Sequence, residues 1–167
     1  MKNYTSSPLY QKSEEIYQTL LTITALIPED NEMLHDRKSE ILGKIRIIQA
    51  KLAGAHRAKL WDLRMENAAI IRMNARELMI QNHLLQTLGF EEVGYYHIVR
   101  QQLEEFRLLF REWVAGFDPK KFIVDEWGLF NPPGIPQDYE QRSDELNFLD
   151  DDDISDDDFS ADDGKGD

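Results

Sequence analysis

Between Leu9 and Phe117 the apolar residues recur at steps of three and four. Side chains at those spacings share one face of a helix with 3.6 residues per turn, so the rhythm restricts the chain to amphipathic helices. Leu9, Ile16, Leu20, Ile23 and Ile27 make the first face. Ser7 is placed to cap it, and Pro8 suits the first helical position, where its missing N–H would have had no partner. Pro28 stops this helix at about Ile27. A second helix carries Leu34, Ile41, Ile45, Ile48 and Leu52 on one side, with Lys38 interrupting the stripe as a side chain that can snorkel. At Ala53-Gly54-Ala55 the pattern weakens, which marks either a break or the close approach of a neighbouring backbone.

A third helix is expected from about Ala58 to Leu88, ended by Gly89 in the left-handed conformation. Leu60, Ala68, Ile71, Ala75, Leu78 and Leu85 point one way, while Trp61, Met65, Met73, Ile80 and Leu84 spread round the other sides. So wide an apolar girth belongs to a helix that is deeply buried or that also faces a partner. The fourth helix, from about Glu91 to Phe117, sets Tyr96, Val99, Leu103, Phe106, Phe110, Trp113 and Phe117 against a polar face of His97, Arg100, Gln101, Glu104, Arg107 and Arg111. Asp118-Pro119 ends it. No period-2 strand pattern of any length appears. Four helices of about 20–30 residues, each about 30–45 Å long and joined by short turns, predict an all-α fold, an antiparallel up-down-up-down four-helix bundle.

Charge divides the chain in two. Residues 138–167 hold twelve Asp and two Glu against Arg142 and Lys165, a net of −12, while the whole chain is −13. The preceding 137 residues are therefore close to neutral. A body of that size can bury a single core, whereas an acidic tail buries too little to offset the entropy of ordering it. Residues 1–136 thus read as the bundle domain and residues 137–167 as a disordered acidic tail. Within the first part, residues 118–136 form an aromatic extension: Phe122, Trp127 and Phe130 follow Phe117 and lead into Asn131-Pro132-Pro133-Gly134. Aromatic side chains on a non-helical stretch favour burial, so this extension is expected to dock back on the bundle. In the tail, Ile154 and Phe159 are embedded among aspartates, the pattern of a segment that folds on contact or of a merely solvating tail.

Catalytic signatures do not emerge. With no cysteine in the chain, a disulfide framework, a thiolate metal site and a cysteine nucleophile are excluded. No phosphate loop, dinucleotide-binding glycine pattern or nucleophile elbow occurs. Glu32-Met33-Leu34-His35 matches one Glu-x-x-His element of di-iron bundles, but the other histidines, His56, His83 and His97, have no acid three residues before them. The expectation is a noncatalytic chain with no metal or other cofactor. The start of the chain has no apolar run of signal-peptide type, and no stretch approaches the roughly 20 apolar residues that span a bilayer. These features and the missing cysteines suit a cytoplasmic protein with no membrane partner.

Three sets of residues are candidates for binding. Trp61, Met65, Met73, Trp127 and Phe130 are apolar side chains outside the main stripes and would contact a protein partner or a second copy. Residues 36–76 contain ten basic and four acidic side chains, and Lys44, Arg46, Lys51, Arg57 and Lys59 are candidates to contact phosphate. They are equally able to pair with acids of the other helices or of the tail. Arg64, Asn67, Asn74 and Asn82 project near the apolar side of the third helix, where they make either a ligand pocket or a hydrogen-bond network that fixes helix register.

The stretch from Ser7-Pro8-Leu9-Tyr10 through Arg64-Met65-Glu66-Asn67-Ala68 to Trp127-Gly128-Leu129-Phe130-Asn131-Pro132-Pro133-Gly134 resembles an uncharacterised family of short helical-bundle proteins of Bacteroidota. The resemblance covers most of residues 7–134 and implies a function not yet assigned. Ile48-Gln49-Ala50-Lys51-Leu52-Ala53-Gly54 is more faintly similar to the Ile-Pro-x-x-Ile-Ala-x-Gly pattern of four-helix proteins encoded in intervening sequences of ribosomal RNA. It lacks the proline and reaches glycine one residue early. That similarity implies a link to nucleic acid. Two functions follow as expectations: a protein-interaction or adaptor module, and a nucleic-acid-binding bundle autoregulated by its acidic tail.

Overall fold

The computed structural model describes residues 3–150, and among them every regular element is helical. The α-helices are α1 (Pro8–Thr24), α2 (Glu32–Arg57), α3 (Trp61–Met79), α4 (Gln81–Thr87) and α5 (Tyr96–Ala115), with 3-10 turns at Tyr4–Ser6, Glu91–Tyr95 and Ser143–Leu149. α1 packs on α2 and α5, and α3 packs on the same two helices. Their apolar faces meet in one core. Ile16, Leu20, Ile41, Ile45, Ile48, Ile71, Leu78, Leu85, Tyr96 and Val99 are fully buried in it, the residues that the three-and-four spacing selected.

The helix starts follow local chemistry. Ser7 Oγ accepts the Tyr10 amide at 3.2 Å with Pro8 at the first helical position. Asn31 Oδ1 accepts the Leu34 amide at 3.1 Å and caps α2. Gly54 does not break α2, which continues to Arg57. A Cβ at Gly54 would sit 3.2 Å from Asn67 Oδ1, so this glycine lets α2 and α3 come close.

Several boundaries differ from the expectation. α1 ends at Thr24 rather than near Ile27. Thr24 Oγ1 donates to the Leu20 carbonyl at 2.7 Å, as Thr19 and Thr22 do to Glu15 and Gln18 inside the helix. The next residues tighten into bonds from Leu26 N to Ile23 O and from Ile27 N to Thr24 O, which tuck Ile27 into the core ahead of Pro28. The expected third helix starts at Trp61 and breaks at Ile80, where φ is −103° and ψ 0°. Neither Pro nor Gly stands there; beside the break the buried Tyr96 hydroxyl donates to the Leu78 carbonyl at 2.7 Å, one of the last carbonyls of α3 that its own helix cannot satisfy. α4 then closes as expected at Gly89, φ +82°, with Phe90 N bonded to Leu85 O and Gly89 N to Gln86 O. This paired arrangement is the Schellman motif. The expected fourth helix begins as a 3-10 turn and becomes α-helical only at Tyr96, after Gly94, a residue that weakens helix.

The last difference lies at residue 137, where disorder was expected to begin. Residues 137–150 fold back on the aromatic extension: Gln141 Nε2 donates to Phe122 O at 2.6 Å, and Gln141 Oε1 accepts from Val124 N at 3.1 Å. Tyr139 packs on Phe122 with ring centroids 6.1 Å apart, and its hydroxyl donates to Glu145. One glutamine amide reads two backbone groups, a pairing that composition cannot signal. The expectation for the rest of the tail, with Ile154 and Phe159, lies outside the described residues.

Candidate functional site

The extension after α5 is tied down at three points. Phe117 is buried against Trp113 and Trp61, with centroids 4.7 and 6.5 Å away and both rings edge-on, while the Arg64 guanidinium lies 5.3 Å over its face. The Trp61 amide donates to Lys121 O at 2.8 Å, so the extension supplies the acceptor that Leu60, with no capping side chain, does not give α3. Phe122 is also buried.

Beyond Phe122 the chain turns outward in a loop built on Asp125. Its Oδ1 accepts the Trp127 amide at 3.0 Å, and its Oδ2 accepts the amides of Leu129 at 3.0 Å and Phe130 at 2.8 Å. Asn131 closes the loop from behind: its Oδ1 accepts Asp125 N at 2.8 Å and its Nδ2 donates to Asp125 O at 3.2 Å. Gly128, at φ +70°, takes the left-handed position. The Phe130 N–H foremost, with those of Trp127 and Leu129, holds the Asp125 carboxyl below the usual carboxylate range against partial loss of solvent. What this scaffold displays is apolar. Trp127 is 95 % exposed and Leu129 73 %.

The candidate partner residues fall in different settings. Trp127 and Phe130 share the Asp125 loop, Trp127 projecting into solvent and Phe130 half-buried. Trp61 is half-buried beneath the extension, where it acts as packing for Phe117. Met65 is half-buried on α3 and Met73 is 52 % exposed on the same helix. Leu129 was not singled out by the sequence; the Asp125…Asn131 pair bracketing Trp-Gly-Leu-Phe is the signal that finds it.

The candidate phosphate contacts are partly committed elsewhere. Lys44 bridges to Glu77 of α3, and Arg46 donates to the Tyr17 hydroxyl at 3.2 Å and lies over its ring. Lys51 is half-buried, and Arg57 and Lys59 are exposed.

The inward polar residues divide. Arg64 Nε donates to Ala58 O at 2.7 Å, Asn67 to Leu63 O at 2.8 Å and Asn74 to Ile70 O at 2.9 Å. Asn82 Oδ1, like Gln81 Oε1 beside it, is buried without a partner among the described residues, just past the α3 break. His35 Nε2 lies 3.0 Å from Pro28 O. Among the described residues no group of three or more His, Asp or Glu side chains is placed to hold a metal ion, and no helix is long and apolar enough to cross a membrane.

A groove of about 500 Å³ runs between α3 and α5. Ala75 and Met79 of α3, Ile80 at the break after it, and Leu103, Phe106 and Phe110 of α5 give it an apolar floor; Arg72 and Arg76 rim one side, Arg107 and Arg111 the other. Two arginine pairs at i, i+4 beside apolar stripes are its trace in the sequence.

Comparison with known proteins gives no match to a family model, to a curated protein or to a solved structure.

Proposed function

We propose that this chain is a noncatalytic protein-interaction or adaptor module, an antiparallel up-down-up-down four-helix bundle in which α3 and α4 together serve as one broken helix, and that Trp127 and Leu129 are the side chains it offers to a partner protein. The packing of α1 and of α3 each on α2 and α5 supports that topology. The observation that carries the functional reading is the 95 % exposure of Trp127 on a loop whose three tip amides are held by one carboxylate. A large aromatic left in water forfeits about 2–3 kcal/mol of burial. A loop already fixed in shape loses little entropy when it docks, and tryptophan is the residue type that most often dominates such contacts.

The test compares the full chain with Trp127→Ser and with Met33→Ser, a control substitution at an exposed methionine far along the sequence. Light scattering across a concentration series reads self-association, and affinity capture reads partners. The expected result is that Trp127→Ser alone loses the second copy or the captured partner, with an unchanged thermal melt. A strict monomer whose captured proteins are the same with and without Trp127 would sink the proposal.

The second reading, a nucleic-acid-binding bundle autoregulated by its tail, rests on Lys51 and Arg57, which have no ion pair among the described residues. Under it, Lys51→Glu with Arg57→Glu abolishes salt-sensitive retention of RNA or DNA by the full chain.

A further inference from the structure

We propose that the groove between α3 and α5 is the docking site of the chain's own acidic segment, residues 150–160, with Ile154 and Phe159 seated on its apolar floor and the flanking aspartates facing the arginines. The inference is independent of the Trp127 reading, since it concerns another surface and an intramolecular occupant.

The groove is apolar at the bottom and cationic at the edge. Arg72, Arg76 and Arg111 have no ion pair among the described residues, and Arg107 has Glu104 alone, at 2.9 Å on its own helix. Four guanidiniums around one slot repel one another, and among the described residues they are answered by a single carboxylate. An anion that also carries hydrocarbon relieves both defects: it neutralises the rim and covers Met79 and Phe110. In an apolar, partly desolvated setting such pairs are stronger than on open surface.

The segment has that composition. From Asp150 to Ser160 it carries seven aspartates, no basic residue, and two large apolar residues five positions apart. Five residues span at most about 17 Å extended, and the floor runs about 10 Å along α5 from Leu103 to Phe110, so both side chains find a place when the segment is less than fully extended. Connectivity permits it as well. The extension is fastened where α3 begins and α5 ends, through Trp61 to Lys121 and through Phe117. Arg111 lies one turn before the end of α5. The chain before the segment packs on Phe122, next to Lys121 at the Trp61 end of α3, and nine residues from Asp150 to Phe159 reach up to about 30 Å, comparable with the roughly 27 Å from Trp61 to Met79 along α3. By contrast, Lys44 and Arg46 of α2 are already engaged.

The chain contains no cysteine, so Ala161→Cys in the full-length protein gives a single site for a nitroxide. Paramagnetic broadening of methyl signals then reports what lies near it. The expected result is at least fivefold stronger broadening at Met79, Ile80 and Leu103 than at Leu26, an exposed residue at the end of α1. Adding Ile154→Ser and Phe159→Ser should remove the difference, as should Arg76→Glu with Arg107→Glu. The first pair changes no residue of the helical body, so it stays informative if the arginine variant folds poorly. Equal broadening at Leu26 and Met79, or broadening indifferent to both pairs, overturns the proposal. So does broadening that appears when spin-labelled chains are mixed with isotope-labelled, unlabelled-spin chains, which would make a second copy the occupant. An external acidic peptide that fills the groove without displacing the segment would overturn it too.

Discussion

Replacing Tyr96 by Phe removes one oxygen from the most enclosed point of the molecule. The Tyr96 side chain is 0 % exposed and its hydroxyl donates to Leu78 O at 2.7 Å, beside the break that separates α3 from α4. Phenylalanine keeps the ring and most of the packing, but the carbonyl loses its donor in a place water does not reach. An unpaired buried acceptor costs about 1–3 kcal/mol, and the greater hydrophobicity of Phe returns part of it. The net loss should be about 1.5 kcal/mol. For a domain of this size that lowers Tm by roughly 3–6 °C and the urea midpoint by about 0.5–1 M.

The same hydroxyl makes a pH prediction. Burial raises its pKa above the usual value for tyrosine, with Arg100 acting weakly the other way. The folded state therefore holds its proton where the unfolded chain has released it. Its contribution is complete below about pH 10 and is lost as pH climbs beyond that toward the folded value. Thermal and urea unfolding by circular dichroism at pH 7 and pH 10.5 checks both. A Tyr96→Phe protein within 0.3 kcal/mol of the parent at pH 7, or one that destabilises as steeply in alkali as the parent, would refute the reasoning.

Three further outcomes follow from particular residues. Gly89→Ala should destabilise by about 1–2 kcal/mol because φ is +82° there, while Gly43→Ala, mid-helix with nothing within 4 Å of a new Cβ, should stabilise by about 0.5–1 kcal/mol; urea midpoints decide both. Phe117→Ala should cost about 3–5 kcal/mol, since Trp61, Trp113 and Arg64 all rest on that ring, and equal stability in a chemical melt would contradict it. The depressed pKa of Asp125 means its loop is fully held above the ordinary carboxylate pKa near 4 and released as pH falls through the lower folded value. Amide exchange at Leu129 and Phe130 should therefore be slow at pH 5 and lose its protection in stronger acid, and a loop indifferent to pH would count against the Asp125 clasp.

The parts of this molecule legible in its sequence are those set by neighbours within a turn or two. Helical faces, the cap at Ser7 and the stop at Gly89 each depend on residues no more than five apart, so spacing and turn chemistry suffice to place them. The break at Ile80 has no such mark, because the group beside it, Tyr96, lies sixteen residues on. The groove is a property of two helices at once: Arg72 and Arg76 look like ordinary surface charge until Arg107 and Arg111 face them across an apolar floor. Likewise, aromatic composition predicts that the extension docks, yet it cannot say that Phe117 and Phe122 go in while Trp127 goes out. That choice belongs to Asp125 and Asn131, whose hydrogen bonds turn the backbone between them. Local periodicity decides which elements form; long-range partners decide where they bend, what they leave open and which apolar side chain stays in water.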